Sequence, residues 1–340
     1  MIRRRELLVG AGAFLFAVNR ASAQDAPAII RPPLDGVTRR MSELAQDGPF
    51  IYPSSPHLFN GDARYYLFMP KAIKSARLIV FSHGALADPL SYRDLLFHWA
   101  SHGFVVVAPL HDDAILESGP TLRSAKAGAV SEWNVAQLLE DPDAWTSRVD
   151  RCIEAIEIGQ EIADTSGFEL VTDRVIMAGH GYGAFTTQLL MGTQVSVPSG
   201  KRLNFRNKKF FAGICMSTQG PGIMGLDDQS WTGVTSPMLH MLSEGDDDFT
   251  GQDWKTRSKA FSLSAPGYKH LAMIRKGGPT LFTRGAGANP TNSITGYLSV
   301  KAITACFNKA YGDYDTQAYG NLSDDFFERN SNGFMVEYRR

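Results

Sequence analysis

Apolar positions fall into short, nearly continuous runs separated by longer stretches of helical period. Residues 63–69, 76–83, 104–110, 174–180, 210–217, 236–242 and 268–274 have strand length. Runs such as "FVVVAPL" (104–110) suit strands buried on both faces of a parallel sheet. Between them, Tyr92, Leu95, Leu96 and Trp99 share one helical face. Asp88-Pro89 supplies start chemistry for that helix and Gly103 a stop. Asp141-Pro142 opens a second helix, with Trp145, Val149, Cys152, Ile153 and Ile156 on one side. The segment "YGAFTTQLLMG" (182–192) and residues 294–310 read as further helices. Strands alternating with helices predict an α/β fold, a mostly parallel sheet covered on both faces. Residues 24–60 are a Pro-rich lead-in, and 61–340 read as a single domain. Two stretches, 111–140 and 193–209, lack the pattern and read as insertions. The tail beyond 310 is polar with scattered aromatics.

The first 23 residues stand apart. Arg3-Arg4-Arg5 precedes an apolar run over 7–18, and Ala21-Ser22-Ala23 makes a small-residue cleavage site. That run is too short to span a membrane. It resembles a bacterial twin-arginine export signal, which implies a periplasmic or secreted protein with no stable membrane anchor after removal. The remaining chain carries a net charge of −4, which argues against a nucleic-acid partner. An apolar content of 44% with 20% charged residues suits a large globular core. Cys152, Cys215 and Cys306 all sit in apolar patterns and read as buried thiols. Their odd number leaves at least one unpaired within the chain.

In open α/β sheets ligands bind beyond the carboxyl ends of the strands. The segments that follow the strand runs are His83-Gly84-Ala85-Leu86, His111-Asp112-Asp113, Gly179-His180-Gly181-Tyr182-Gly183, Ser243-Glu244-Gly245-Asp246-Asp247-Asp248 and Arg275-Lys276-Gly277-Gly278-Pro279-Thr280. The third has the spacing of the strand-to-helix turn G-x-S-x-G that holds a nucleophilic serine, with Gly181 at the serine position. His83, His111 and His180, with Asp112, Asp113 and Asp246, also raise a metal site of imidazole and carboxylate. No metal or other cofactor is the expectation.

The stretches "FSHGALADPLSYRDLLFHWASHGFVVVAPLH", "RVIMAGHGYGAFTTQLL", "AGICMSTQGPG" and "PMLHMLSEGDDD" resemble the α/β-hydrolase superfamily in order and spacing. They are most similar to its dienelactone-hydrolase-like and platelet-activating-factor-acetylhydrolase-like esterases. The resemblance implies acyl transfer by a Ser-His-acid triad with a backbone oxyanion hole. It assigns the nucleophile position to Gly181, the acid to Asp246 with Asp247 as second choice, and the oxyanion N–H groups to Tyr182 and Ala85. The histidine position falls on Thr280 or Pro279, and neither can act as a base near neutral pH. No other histidine fits: His240 and His270 lie inside strands, His57 precedes the core, and His98 and His102 belong to a helix.

Two triad members are thus replaced. A single engineered change at Gly181 would leave the histidine in place, so the double loss points to natural divergence. The leading expectation is an exported, catalytically inactive α/β-hydrolase fold that binds a small acyl or ester ligand or a protein partner. Apolar residues of 111–140 and 219–235 are expected to line or cover its pocket. The alternatives are an active esterase whose nucleophile is engineered away or supplied differently, and the metal site above.

Overall fold

The structure, a computed structural model, describes residues 39–61, 63–114, 139–246, 250–275, 277, 281–283 and 290–340. Its strands are β1 (His57–Asn60), β2 (Arg64–Phe68), β3 (Ser75–Ser82), β4 (Phe104–Pro109), β5 (Glu169–His180), β6 (Gln194–Ser196), β7 (Arg202–Asn204), β8 (Phe210–Met216), β9 (Met238–Ser243), β10 (Lys269–Ile274) and β11 (Met335–Arg339). Nine of them form one sheet in the order β1-β2-β4-β3-β5-β8-β9-β10-β11. The six central strands run parallel. β1, β2 and β11 pair antiparallel at the two edges. The architecture is the expected α/β one.

The helices are α1 (Arg39–Ala45), α2 (Arg93–Ser101), α3 (Pro142–Ser166), α4 (Tyr182–Leu190), α5 (Trp254–Leu263), α6 (Pro290–Gly312), α7 (Thr316–Ser323) and α8 (Phe326–Asn330). Strand alternation divides the core between the two sheet faces. Ile79 and Phe81 of β3 join one apolar cluster with α2 and α6. Leu78 and Val80 join the other with α3 and α4. Local chemistry places the helix starts. Asp88 accepts from the Leu90 N–H ahead of α2, and Asp141 accepts from the Asp143 N–H at the head of α3. At the far end of α3, Gly167 takes φ 75° and closes the last turn on the Ala163 carbonyl, as a left-handed C-cap does.

Four features differ from the sequence pattern. β5 begins at Glu169 rather than 174; the polar residues Thr172, Asp173 and Arg174 lie beside a register irregularity and mask the first half of the strand. The tail contributes β11, an edge strand with one neighbour and a correspondingly weak apolar alternation. The polar excursion at 193–209 contains the two-stranded ribbon β6–β7. Met224, Leu226, Trp231 and Val234, expected to line or cover a pocket, are buried in the core cluster beneath α4. Most of the 111–140 stretch lies outside the described residues. The three cysteines are free and buried, as their patterns imply. Among the described residues no helix is long and apolar enough to cross a membrane.

Candidate functional site

The parallel strands bring their carboxyl ends to one edge of the sheet. Ser82, the last residue of β3, pairs in register with Gly179 of β5, so the loop after β3 starts beside the turn after β5. At that turn Gly181 has φ 56° and ψ −113°, a conformation that L side chains adopt only under strain. Its N–H bonds to the Met216 carbonyl of β8 at 2.9 Å. The three glycines of the motif are there for different reasons. A Cβ on Gly179 would overlap the Gly183 carbonyl, and one on Gly183 would overlap the Ser82 carbonyl. A Cβ on Gly181 would meet no atom of the described residues within 4 Å. The outer glycines let β3, β5 and α4 approach closely, whereas Gly181 is needed only for its backbone angles. The turn keeps the shape of a nucleophile elbow and the space for a side chain.

The loop after β3 is held from behind by a buried ion pair. Arg148 of α3 donates from Nε and Nη2 to the two carboxylate oxygens of Asp113, at 3.0 and 2.8 Å. It also donates from Nη1 to the His83 carbonyl at 2.9 Å, and its guanidinium lies 4.2 Å over the Tyr182 ring. Asp113 in turn accepts from the Leu86 N–H at 3.0 Å. Burial alone would raise the Asp113 pKa, but the Arg148 charge, with the hydrogen bonds it accepts, brings it below the usual carboxylate range. Arg148 thereby ties α3, the 83–86 loop and the first residue of α4 together. A second link runs across the loop: the Gly84 N–H donates to the Tyr92 hydroxyl at 3.1 Å, and that hydroxyl is hydrogen-bonded to His180 Nδ1 at 2.8 Å. Burial raises the Tyr92 pKa and keeps the phenol a donor.

The two expected oxyanion donors lie on these elements. Ala85 sits in the clamped loop, and its N–H carries no hydrogen bond among the described residues. Tyr182 opens α4, where the first N–H groups of a helix find no carbonyl within it.

The acid position is less open. Asp246 follows β9 and is 3% exposed. Its carboxylate meets Arg257 Nη2 of α5 at 3.2 Å, and its carbonyl accepts from Arg257 Nη1 at 2.5 Å. The same guanidinium donates to the Thr218 carbonyl at 2.9 Å and to the Ser217 hydroxyl. Asp246 is therefore part of the clasp that joins the ends of β8 and β9 to α5, a role sequence spacing did not reveal. Asp247, Pro279 and Thr280 lie outside the described residues. Phe282 places its ring 5.4 Å from that of His180.

Residues 59–144 match the Chlorophyllase family. The matched stretch runs from the β1–β2 hairpin through the 83–86 loop to the start of α3, and the elbow lies beyond it. Together with the sheet order and the Gly181 turn, it supports the α/β-hydrolase superfamily. The chain has the α/β-hydrolase fold. The match also supports an esterase-type member of that superfamily. None of the curated proteins matches the chain.

The fold does contain a serine–histidine hydrogen bond at the same sheet edge. Ser82 Oγ lies 2.8 Å from His111 Nε2 and accepts from Arg148 Nη1 at 3.2 Å. Both residues are buried, so no substrate reaches the hydroxyl. Among the described residues His111 Nδ1 has no partner, and none of them supplies the carboxylate that orients a catalytic histidine. Burial, followed by the nearby Arg148 charge, lowers the His111 pKa well below its ordinary value. The pair is a piece of polar core. His83 is equally committed: its Nε2 accepts from the His111 N–H at 3.0 Å, which leaves Nδ1 to donate to the Gly84 carbonyl at 2.8 Å. These bonds occupy both ring nitrogens of His83, one of the three histidines considered as metal ligands. Among the described residues no group of three or more candidate ligands is arranged to hold a metal ion.

Proposed function

We propose that this esterase-type α/β-hydrolase fold no longer transfers acyl groups and instead binds a small acyl or ester ligand at the elbow. One observation carries the reading: Gly181 keeps the elbow backbone, and no described residue fills the space beyond its Cα, yet it supplies no nucleophile. Acyl transfer needs an activated hydroxyl or thiol at that point. What remains are backbone donors at Ala85 and Tyr182, on a loop braced by Arg148 and Asp113. Such N–H groups at a helix start favour a carbonyl or carboxylate oxygen. The N-terminal segment supports export to the periplasm or beyond, where such a ligand would be met.

The test is a pair of measurements on the purified chain. Nitrophenyl acetate and nitrophenyl butyrate should be hydrolysed no faster than in a protein-free blank, while butyrate or its ethyl ester should raise the melting temperature. Turnover of either nitrophenyl ester that Asp246→Asn abolishes would overturn the inactive reading. Absence of any thermal shift with either ligand would remove the binding role. The double substitution Gly181→Ser with Thr280→His, or with Pro279→His, asks whether the retained frame can be made hydrolytic again.

A further inference from the structure

The opposite edge of the sheet holds a feature that neither folding nor the elbow explains. A cavity of about 600 Å³ opens at the amino ends of the parallel strands, beside Phe210 at the start of β8, Pro237 before β9 and Tyr268 before β10. Arg174, seven residues before Gly181 on β5, lines it, so the cavity lies roughly 20 Å along the strand from the elbow. Its volume is that of a small-molecule site.

The charges around it are unbalanced. Arg174, Arg206 and Lys208 all line the cavity. None of them has a carboxylate within ion-pairing distance among the described residues. The acid that shares the wall, Asp315, spends one carboxylate oxygen on the Ala318 N–H at the head of α7. Arg174 is stacked rather than paired: its guanidinium lies 3.2 Å over the Tyr314 ring and 4.1 Å over that of Phe211. Stacking occupies the faces of the guanidinium and leaves its N–H edge, from which one hydrogen bond runs to the Tyr311 carbonyl at 3.4 Å. Arg206 donates from Nη1 to the Gly233 carbonyl and the Thr235 hydroxyl, each at 3.2 Å.

The walls are aromatic and stand in solvent. Tyr268, Tyr314 and Tyr319 are among the most exposed large side chains of the described residues. Tyr268 and Tyr319 each meet the Tyr311 ring edge-on, at 6.4 and 6.0 Å. Two of these tyrosines, Tyr268 at φ 57° and Tyr314 at φ 59°, sit in left-handed backbone that bulky residues avoid. A packing role would bury these rings; holding them exposed, on strained backbone, around three unpaired cations suits recognition.

We propose that this cavity is a second binding site, separate from the elbow, for an aromatic carboxylate. The planar forks of Arg174 and Arg206 match a carboxylate in two-point geometry, with Lys208 adding charge, and the tyrosine cluster takes the ring by stacking or edge contact. The site does not depend on whether the elbow is active.

Calorimetric titration of the full chain with 2-naphthoate tests it. Naphthoate should bind, and the neutral 2-naphthamide and inorganic phosphate should each bind about tenfold more weakly or worse. Arg206→Gln and Lys208→Gln, both at exposed positions, should weaken naphthoate about tenfold between them with an unchanged melting temperature. Tyr268→Gly removes a ring at a position where glycine is unstrained, and should weaken naphthoate without unfolding the chain. No heat with naphthoate, or equal affinity in the wild type and these variants, would overturn the site. Phosphate binding as tightly as naphthoate would overturn the aromatic class.

Discussion

The two edges of the sheet treat cations in opposite ways. At the carboxyl edge Arg148 and Arg257 are buried, and among the described residues each pairs with a carboxylate, Asp113 or Asp246, and bonds to carbonyls. At the amino edge Arg174, Arg206 and Lys208 face a cavity with no ion-paired carboxylate among the described residues. A buried charge without a partner costs several kcal/mol, so the first pair of arginines had to be satisfied within the fold. A charge at a solvent-filled cavity pays no such penalty and stays available to a ligand. The carboxyl edge has therefore become structure, and the amino edge has kept the open chemistry.

The strongest way to break this comparison is to remove a buried cation. Arg148→Met should cost about 3–5 kcal/mol, because Asp113 is left charged and buried. Pairing it with Asp113→Leu should recover most of that loss in a double-mutant cycle followed by chemical denaturation. If Arg148→Met alone is tolerated, the clamp is ornamental.

Acid should loosen the same edge. Burial, then the Arg148 charge, lowers the His83 pKa to about 4 from an ordinary 6.5. A depressed folded-state value means the stabilisation is complete above pH 6.5 and is lost as the pH falls towards 4. The downward shifts of His111 and Asp113 act in the same direction. His83 alone accounts for about 3 kcal/mol by this linkage. Melting temperature measured across that window should fall steeply in the wild type and less steeply in His83→Asn; an identical slope would exclude His83 as its source.

The elbow glycines give a smaller, internal contrast. Gly183→Ala forces a Cβ into the Ser82 carbonyl and should cost about 3 kcal/mol, whereas Gly181→Ala meets open space and should cost about 1 kcal/mol of backbone strain. Equal losses would mean that the space beyond Gly181 is not real. At the amino edge the effects should be smallest. Lys208→Gln should change stability by no more than about 0.5 kcal/mol. Tyr268→Gly should also be near neutral, since about 1 kcal/mol of relieved strain offsets a similar entropic cost of glycine.

The difference between the edges also explains what could be read from the chain. Central strands buried on both faces, such as β4, announce themselves as apolar runs, and Asp88 and Asp141 mark helix starts by local chemistry. β11 and the first half of β5 do not: one is an edge strand, and the other crosses a register irregularity through Thr172, Asp173 and Arg174. The elbow was legible because its spacing is local, Gly179 to Gly183. The two clamps were not, since Arg148 and Asp113, or Arg257 and Ser217, are 35 and 40 residues apart and look like ordinary surface charges and polar residues in sequence. Nor was the amino-edge cavity, whose Tyr311, Tyr314 and Tyr319 lie in a tail that reads as polar and irregular.

The sequence alone determined the α/β layering, the elbow and the absence of a serine at Gly181, because each rests on near-neighbour pattern and residue identity. Only the tertiary structure decided that Gly179 and Gly183 are held by close contact while Gly181 is held by its torsions. It alone joined Asp246 to Arg257 and gathered around exposed tyrosines three cations that no described carboxylate pairs with. Those outcomes depend on which distant groups share a low-dielectric interior and which are left to water, and that partition exists only once the chain is folded.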